Sequence, residues 1–237
     1  MTRVVISQPM YFPWVGFLAQ MALADVMIWL DDVQFSKGSF TNRVQVKTND
    51  GVKWMSVPLV GKGSHKQIMD LETSDPKIGT KHRSLLANAL ADAPFRDEAL
   101  GLLETAWKPA SLVECLIASA ECLADAVALA PRSTFRSSQM GVAGNGSERV
   151  LGLVQAVGGT CYVTGHGARN YLEHARFEDV GIGVEYMQYQ PKPWPQAQGD
   201  FTPYVTALDL VAQVPPAERV VHLAPATEHW KSFIERH

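Results

Sequence analysis

The 237-residue sequence predicts an α/β fold: a mainly parallel sheet with flanking helices and an inserted helical block. Three observations carry this. Short apolar runs near the N-terminus, RVVIS and VMIWL, bracket an amphipathic stretch, which is the order of a βαβ unit. The same alternation returns after residue 133. Between the two lies a stretch of about fifty residues with helical periodicity, punctuated by Pro76, Pro94, Pro109 and Pro131.

In chain order, residues 3–7 read as a buried strand. Pro9 and Pro13 remove backbone donors and fix φ, so QPMYFPW is a loop. Residues 15–24 read as an amphipathic helix and 26–30 as a second buried strand that runs into Asp31 and Asp32. Residues 43–57 alternate, and Asn49-Asp50-Gly51 marks a hairpin turn. A polar loop with Gly61, Gly63 and His65 follows. Helices are expected over 78–91, 95–107 and 112–129. Residues 133–138 return to strand character. Gly141–Gly146 is a loop, and Ser147 is a reasonable N-cap for a helix ending near Gly158. Strands are expected over 161–164 and 182–189. A Pro/Gln-rich loop then leads to a helix over about 203–212.

Composition bounds the function. With 46% hydrophobic and 19% charged residues the chain can bury a sizeable core. A net charge of −3 gives no general attraction to nucleic acid or anionic membrane. No secretory n-region with an apolar h-region is visible, nor an apolar run that would span a bilayer, so a cytoplasmic protein without membrane insertion is expected. Cys115, Cys122 and Cys161 form no CxxC pair, and the seven histidines show no zinc-ligand spacing. No metal site and no cofactor is assigned from sequence.

The chemistry is expected where strands end. Ligands of open parallel sheets bind beyond the carboxyl ends of the strands. Gln8, Asp31-Asp32 and Gly165-His166-Gly167 each follow an apolar run, so parallel strands would bring them to one edge. Adjacent aspartates in extended chain point to opposite faces. One would bind a ligand or a hard cation such as Mg²⁺, and the other would pair with Arg43 or Lys47; the alternative is a solvated strand end. Gln34, Asn42, Arg43 and Lys47 follow closely and suit an anionic substrate group. Tyr11 and Trp14 form either a rigid wall for a ring or a loop packed on the core. Gly141–Gly146 can offer backbone N–H groups to phosphate, with Arg149 one turn later, or is a plain loop. His166 is placed for acid–base work or is a surface histidine.

The segments ISQPMYFPWVGF, ADVMIWLDDVQFSKGSFTNRVQVK and WMSVPL, with SSQMGVAGNGSERVLGLVQAVGGTCYVTGHGARNYL and FEDVGIGVEYMQYQP, resemble the WbqC-like protein family. The resemblance covers nearly the whole chain and implies a single domain over 1–237, with the helical block at about 76–131. It implies modification of a metabolite or nucleotide-activated amino sugar, by acyl or aminoacyl transfer, in bacterial surface-polysaccharide (O-antigen) or specialised-metabolite biosynthesis. A sugar nucleotide or an activated acyl donor would be the small-molecule partner. Matching positions include Gln8, Tyr11, Trp14, Gly16, Asp31, Asp32, Gln34, Asn42, Arg43 and Lys47, and later Ser138, Gly165, Tyr171, Tyr186 and Tyr189. After Asp209 the chain departs from the pattern. Asp31, Asp32 and His166 are the candidate catalytic residues. Gln8, Tyr11, Trp14, Gln34, Asn42, Arg43, Lys47, Ser138, Arg149, Gly165 and Tyr171 are the candidates for substrate binding. Two alternatives stand beside transfer: nucleotidyl transfer or ATP-dependent carboxylate activation, by fold-level analogy to Rossmann-like nucleotide-binding folds, and a non-catalytic ligand-binding protein.

Overall fold

A computed structural model describes residues 1–129, 131, 133–197 and 199–236. Strands β1 (Arg3–Ser7), β2 (Val26–Trp29), β5 (Ser133–Arg136), β6 (Cys161–Thr164), β7 (Gly183–Tyr189) and β8 (Pro225–His229) form a six-stranded sheet in the order β5-β2-β1-β6-β7-β8. All neighbours are parallel except β7 and β8. The α/β class expected from sequence is the observed one. From β1 the chain lays down β2 and then β5 on one side, and returns to place β6 and β7 on the other. The order therefore reverses between β1 and β6, the topological switch point at which α/β sheets open a crevice.

Both faces of the sheet are buried at its central strands β1, β2 and β6, which is why these read as apolar runs. Val5, Met27, Trp29, Cys161 and Val163 face one core, with helix α1 (Val15–Ala22), helices α2 (Ile78–Ala89), α3 (Arg96–Ala106) and α4 (Leu112–Ala126), and α7 (Ala207–Gln213). Val4, Ile6, Val26, Ile28, Tyr162, Val184 and Tyr186 face the other, with α5 (Gly146–Ala156), α6 (His174–Glu178) and α8 (Trp230–Arg236). The period-two alternation of strand side chains does the sorting.

The helical block braces the site from the first face. Ser119 on α4 accepts from the backbone N–H of Phe12 at 3.0 Å and donates to the Leu116 carbonyl at 2.7 Å. Phe12 sits at φ 40°, a conformation non-glycine residues seldom adopt, so this contact holds the β1–α1 loop in its bend. Arg219, fully buried, clasps Glu98 on α3 with two bonds of 2.6 Å and also donates to three backbone carbonyls, those of Val211, Val214 and Ala126. A buried arginine satisfied at this many points ties the block to the C-terminal segment.

Strands β3 (Arg43–Thr48) and β4 (Gly51–Ser56) form the expected hairpin, with Gly51 at φ 100° in the turn. Three expectations need correction. Helix α5 begins at Gly146 behind Asn145, so Ser147 is not its cap; its hydroxyl accepts from Glu173 N at 2.7 Å and donates to Tyr171 O at 3.0 Å. Helix α7 begins at Ala207, not near Pro203. Thr206 N–H donates to Gln45 O and Ala207 N–H to Pro13 O, which pins the preceding residues as extended chain, and Thr206 caps the helix. The last strand expected from sequence was β7, yet β8 and α8 follow it.

Candidate functional site

The strand-end groups meet as the parallel order requires, at the carboxyl edge of β5, β2, β1 and β6. Beyond β2 the chain bends, and both aspartates turn toward the end of β5 instead of to opposite faces. Asp31 is completely buried. Its carboxylate accepts from Arg136 Nε at 2.6 Å, Ser138 N at 3.0 Å and Ser138 Oγ at 2.9 Å. Ser137 Oγ donates to Asp32 at 2.6 Å and accepts from Asp31 N at 3.2 Å. The other oxygen of Asp32 pairs with the Arg149 guanidinium. Burial works against the Asp32 charge, but the Ser137 hydrogen bond and Arg149 outweigh it and hold its carboxyl below the usual range. A carboxylate so stabilised is a weak base.

These contacts correct two expectations. Neither aspartate pairs with Arg43 or Lys47. Asp31 has no solvent-facing oxygen left for substrate or for Mg²⁺, so a direct catalytic part for it is overturned by its burial and its full set of donors. Among the described residues no three His, Cys, Asp or Glu side chains group as metal ligands.

On the α5 face of the sheet, a cavity of about 300 Å³ opens at this edge, lined by Gln8, Leu30, Val33, Gly144–Gly146, Arg149 and Tyr171. Gly144 and Gly146 sit at φ 100° and 51°, conformations that keep side chains off the start of α5. The first backbone N–H groups of that helix have no intrahelical partner, and its dipole favours an anion. Arg149 stands one turn in, oriented by Asp32; its Nε is buried without a hydrogen-bond partner among the described residues.

On the α1 face, across β1 and β6, a second cavity of about 420 Å³ is lined by Met10, Trp14, Phe17, Gln20, Gly165, His166, Met187, Tyr189, Pro191 and Tyr204. His166 donates from Nε2 to the Met187 carbonyl at 3.0 Å, and its ring lies 4.8 Å from that of Phe233. Trp14 folds its indole back over Gly16, where a Cβ would meet the ring at 2.0 Å. A cavity of about 660 Å³ lies away from this edge, between residues 66–73 and 107–112; its lysine, Lys66, already pairs with Glu72.

The remaining candidates lie elsewhere. Tyr11 is fully buried: Trp107 Nε1 donates to its oxygen at 2.9 Å, and the hydroxyl donates to His82 Nδ1 at 2.7 Å. It is a core residue, not a wall for a ring. Asn42 donates to the Val57 carbonyl at 2.8 Å and serves the hairpin. Arg43 stacks 4.2 Å over Trp54 and donates to the Gly38 carbonyl. Lys47 donates to Gln196 Oε1 and to the carbonyls of Gly199 and Asp200, beside the buried Asp209. Gln34 is exposed and bridges to Gln67. None of these five lines either cavity at the edge. The sequence reading missed Arg136, Ser137, Gln20 and Tyr204. The serine was visible only as the neighbour of Ser138, and Gln20 only as a polar residue on a helix face otherwise apolar.

The WbqC-like protein family model matches residues 8–221. That span takes in the β1 end, both aspartates, Arg149, His166 and the residues of both cavities. The chain belongs to the WbqC-like protein family. It is also 32% identical over 223 residues to the uncharacterized protein Rv1507c of Mycobacterium tuberculosis (strain ATCC 25618 / H37Rv), covering 90% of this chain and 94% of the relative. No solved structure matches. Among the described residues of this WbqC-like chain, no helix is long and apolar enough to cross a membrane.

Proposed function

We propose that this WbqC-like protein is a transferase that modifies an activated anionic metabolite, of the nucleotide-linked amino-sugar class, by acyl or aminoacyl transfer. The reading rests on one observation: at the switch point, Gln8, the glycine turn before α5 and Arg149 line a single cavity. In this reading Arg149 holds the phosphate, and Asp32 is a positioning residue that aims Arg149. Asp31 and Ser138 brace the edge.

The test incubates the protein with a UDP-linked amino sugar and a panel of acyl-CoA and aminoacyl donors, with mass spectrometry of the sugar. The expected result is a mass gain of one acyl group. Arg149→Met should weaken sugar-nucleotide binding by about tenfold to a hundredfold, the scale of a lost charge-assisted hydrogen bond. Binding that ignores both Arg149 and ionic strength would sink the anion-site reading. A second reading is favoured by the engagement of both aspartates in standing hydrogen bonds: a protein that binds the metabolite without turning it over. Binding without conversion by any donor would select it.

A further inference from the structure

The cavity on the α1 face contains polar groups that the protein itself does not satisfy. Gln20 is 9% exposed, lines this cavity, and its side-chain amide makes no hydrogen bond among the described residues. Tyr189 also lines the cavity; its Oη is enclosed behind the ring with no partner among the described residues, where a small turn of the ring would bring it to a guest, and burial pushes the phenol up to about 12, so it stays a neutral donor. Buried polar groups in native proteins are nearly always paired, and a group left unpaired by the chain points to something outside the chain. Gln20 offers a donor and an acceptor side by side, and Tyr189 offers a hydroxyl.

The walls are aromatic. Trp14 stands 5.6 Å from Tyr189 and 5.7 Å from Tyr204 between ring centroids, at interplanar angles of 71° and 54°. Rings set at these angles do not close face to face on one another, so a planar guest can lie against them. Gly16 allows the Trp14 indole its place, and Pro191 adds a flat apolar side. The lining is mainly apolar with a few placed polar atoms, the usual make-up of a small-molecule site.

We propose that this cavity is a subsite for a planar heterocycle with adjacent donor and acceptor atoms, namely the base of a nucleotide, with Gln20 reading its edge and Tyr189 giving a further bond. Amide side chains make such paired contacts with base edges, and bases stack on aromatic rings. The position fits the anion cavity. Gln8 lines one cavity and Met10 the other, and two residues of chain reach no further than about 7 Å. One nucleotide could therefore cross the β1/β6 switch point from base to phosphate. The assignment of the ring to a nucleotide rests on the proposed function; the ring subsite does not.

Adenosine and uridine, which carry no phosphate, are the probes, titrated by calorimetry against wild type, Gln20→Leu and Tyr189→Phe. At least one nucleoside should bind, about tenfold more weakly to Gln20→Leu and about threefold to tenfold more weakly to Tyr189→Phe. Tyr189→Phe deletes only an unpartnered hydroxyl and keeps the packing, so it remains informative even if Gln20→Leu fails to fold. Failure of both nucleosides to bind wild type at millimolar concentration overturns the subsite, as does wild-type binding by both variants. Nucleoside binding without any transfer to the amino sugar would overturn the proposed function alone. Sugar-nucleotide binding through Arg149 without nucleoside binding would overturn the subsite alone.

Discussion

The two sides of the carboxyl edge treat polar atoms in opposite ways. Around Asp31 the oxygens are saturated: an arginine, a serine hydroxyl and a backbone N–H close on a carboxylate with no exposure. Across β1, the amide of the largely buried Gln20 and the enclosed hydroxyl of Tyr189 have no hydrogen-bond partner among the described residues. Saturation fixes a shape, while unsatisfied groups leave hydrogen-bonding capacity for a guest. The pair of aspartates that stands out in the sequence is thus a brace, and the quieter glutamine is the better candidate to touch a ligand.

The largest effect should fall on the brace. Asp31→Ala removes one partner from a buried ion pair and leaves Arg136, Ser138 N and Ser138 Oγ facing a void. Breaking a buried pair in this way costs about 3–5 kcal/mol. Urea denaturation reads it as a lowered midpoint with an unchanged slope. A loss under about 1 kcal/mol would contradict the brace, since surface substitutions stay within roughly half a kcal/mol.

The same contrast explains what the sequence could tell. Strands β1, β2 and β6 are buried on both faces, so four or five apolar residues ending at Gln8, Asp31 or Gly165 give them away. Their common direction follows from the intervening helices, and with it the location of the edge. The partners at that edge were not legible. Arg136 and Ser137 lie 105 residues from the aspartates they hold, and Arg149 lies 117 away. Arg43 and Lys47 are near in sequence, but the hairpin carries them off, and Lys47 ends among the carbonyls of residues 199 and 200. Strand β8 (PATEH) shows no alternation because it closes the sheet by pairing with β7 alone.

A second effect sits on the aromatic side. Asp209 is buried, accepts from Trp194 Nε1 at 2.7 Å, and helps anchor the segment that brings Pro191 and Tyr204 to the cavity. Burial raises its carboxyl to about 6, against the opposing pull of Trp194 and Lys47. The folded state therefore prefers the protonated acid. Its contribution is fully present below the unfolded value of about 4 and is lost as pH rises through about 6. At roughly 1.4 kcal/mol per unit of pKa, the loss is on the order of 2–3 kcal/mol. Asp209→Asn should lack this decline, so its stability relative to wild type should rise between pH 4 and 6. Parallel curves for the two proteins would remove Asp209 as the source.

The smallest effect tests whether the aromatic wall is as fixed as the brace. At Gly16 an added Cβ would meet the Trp14 ring at 2.0 Å, so Gly16→Ala must displace the indole. Overpacking costs about 1–3 kcal/mol, and alanine returns up to about 1 kcal/mol of helix propensity. The net should be a loss of roughly 0–2 kcal/mol, with a change in the near-UV circular dichroism of the Trp14 environment. Gly101→Ala is the control: it lies within α3 with nothing within 4 Å of its added Cβ, so propensity alone should act and stability should rise by up to about 1 kcal/mol. If both substitutions stabilise alike and the near-UV spectrum is unmoved, the indole yields at no cost. The wall would then be as adaptable as the Asp31 brace is fixed, and the contrast between the two sides would widen from hydrogen bonding to rigidity.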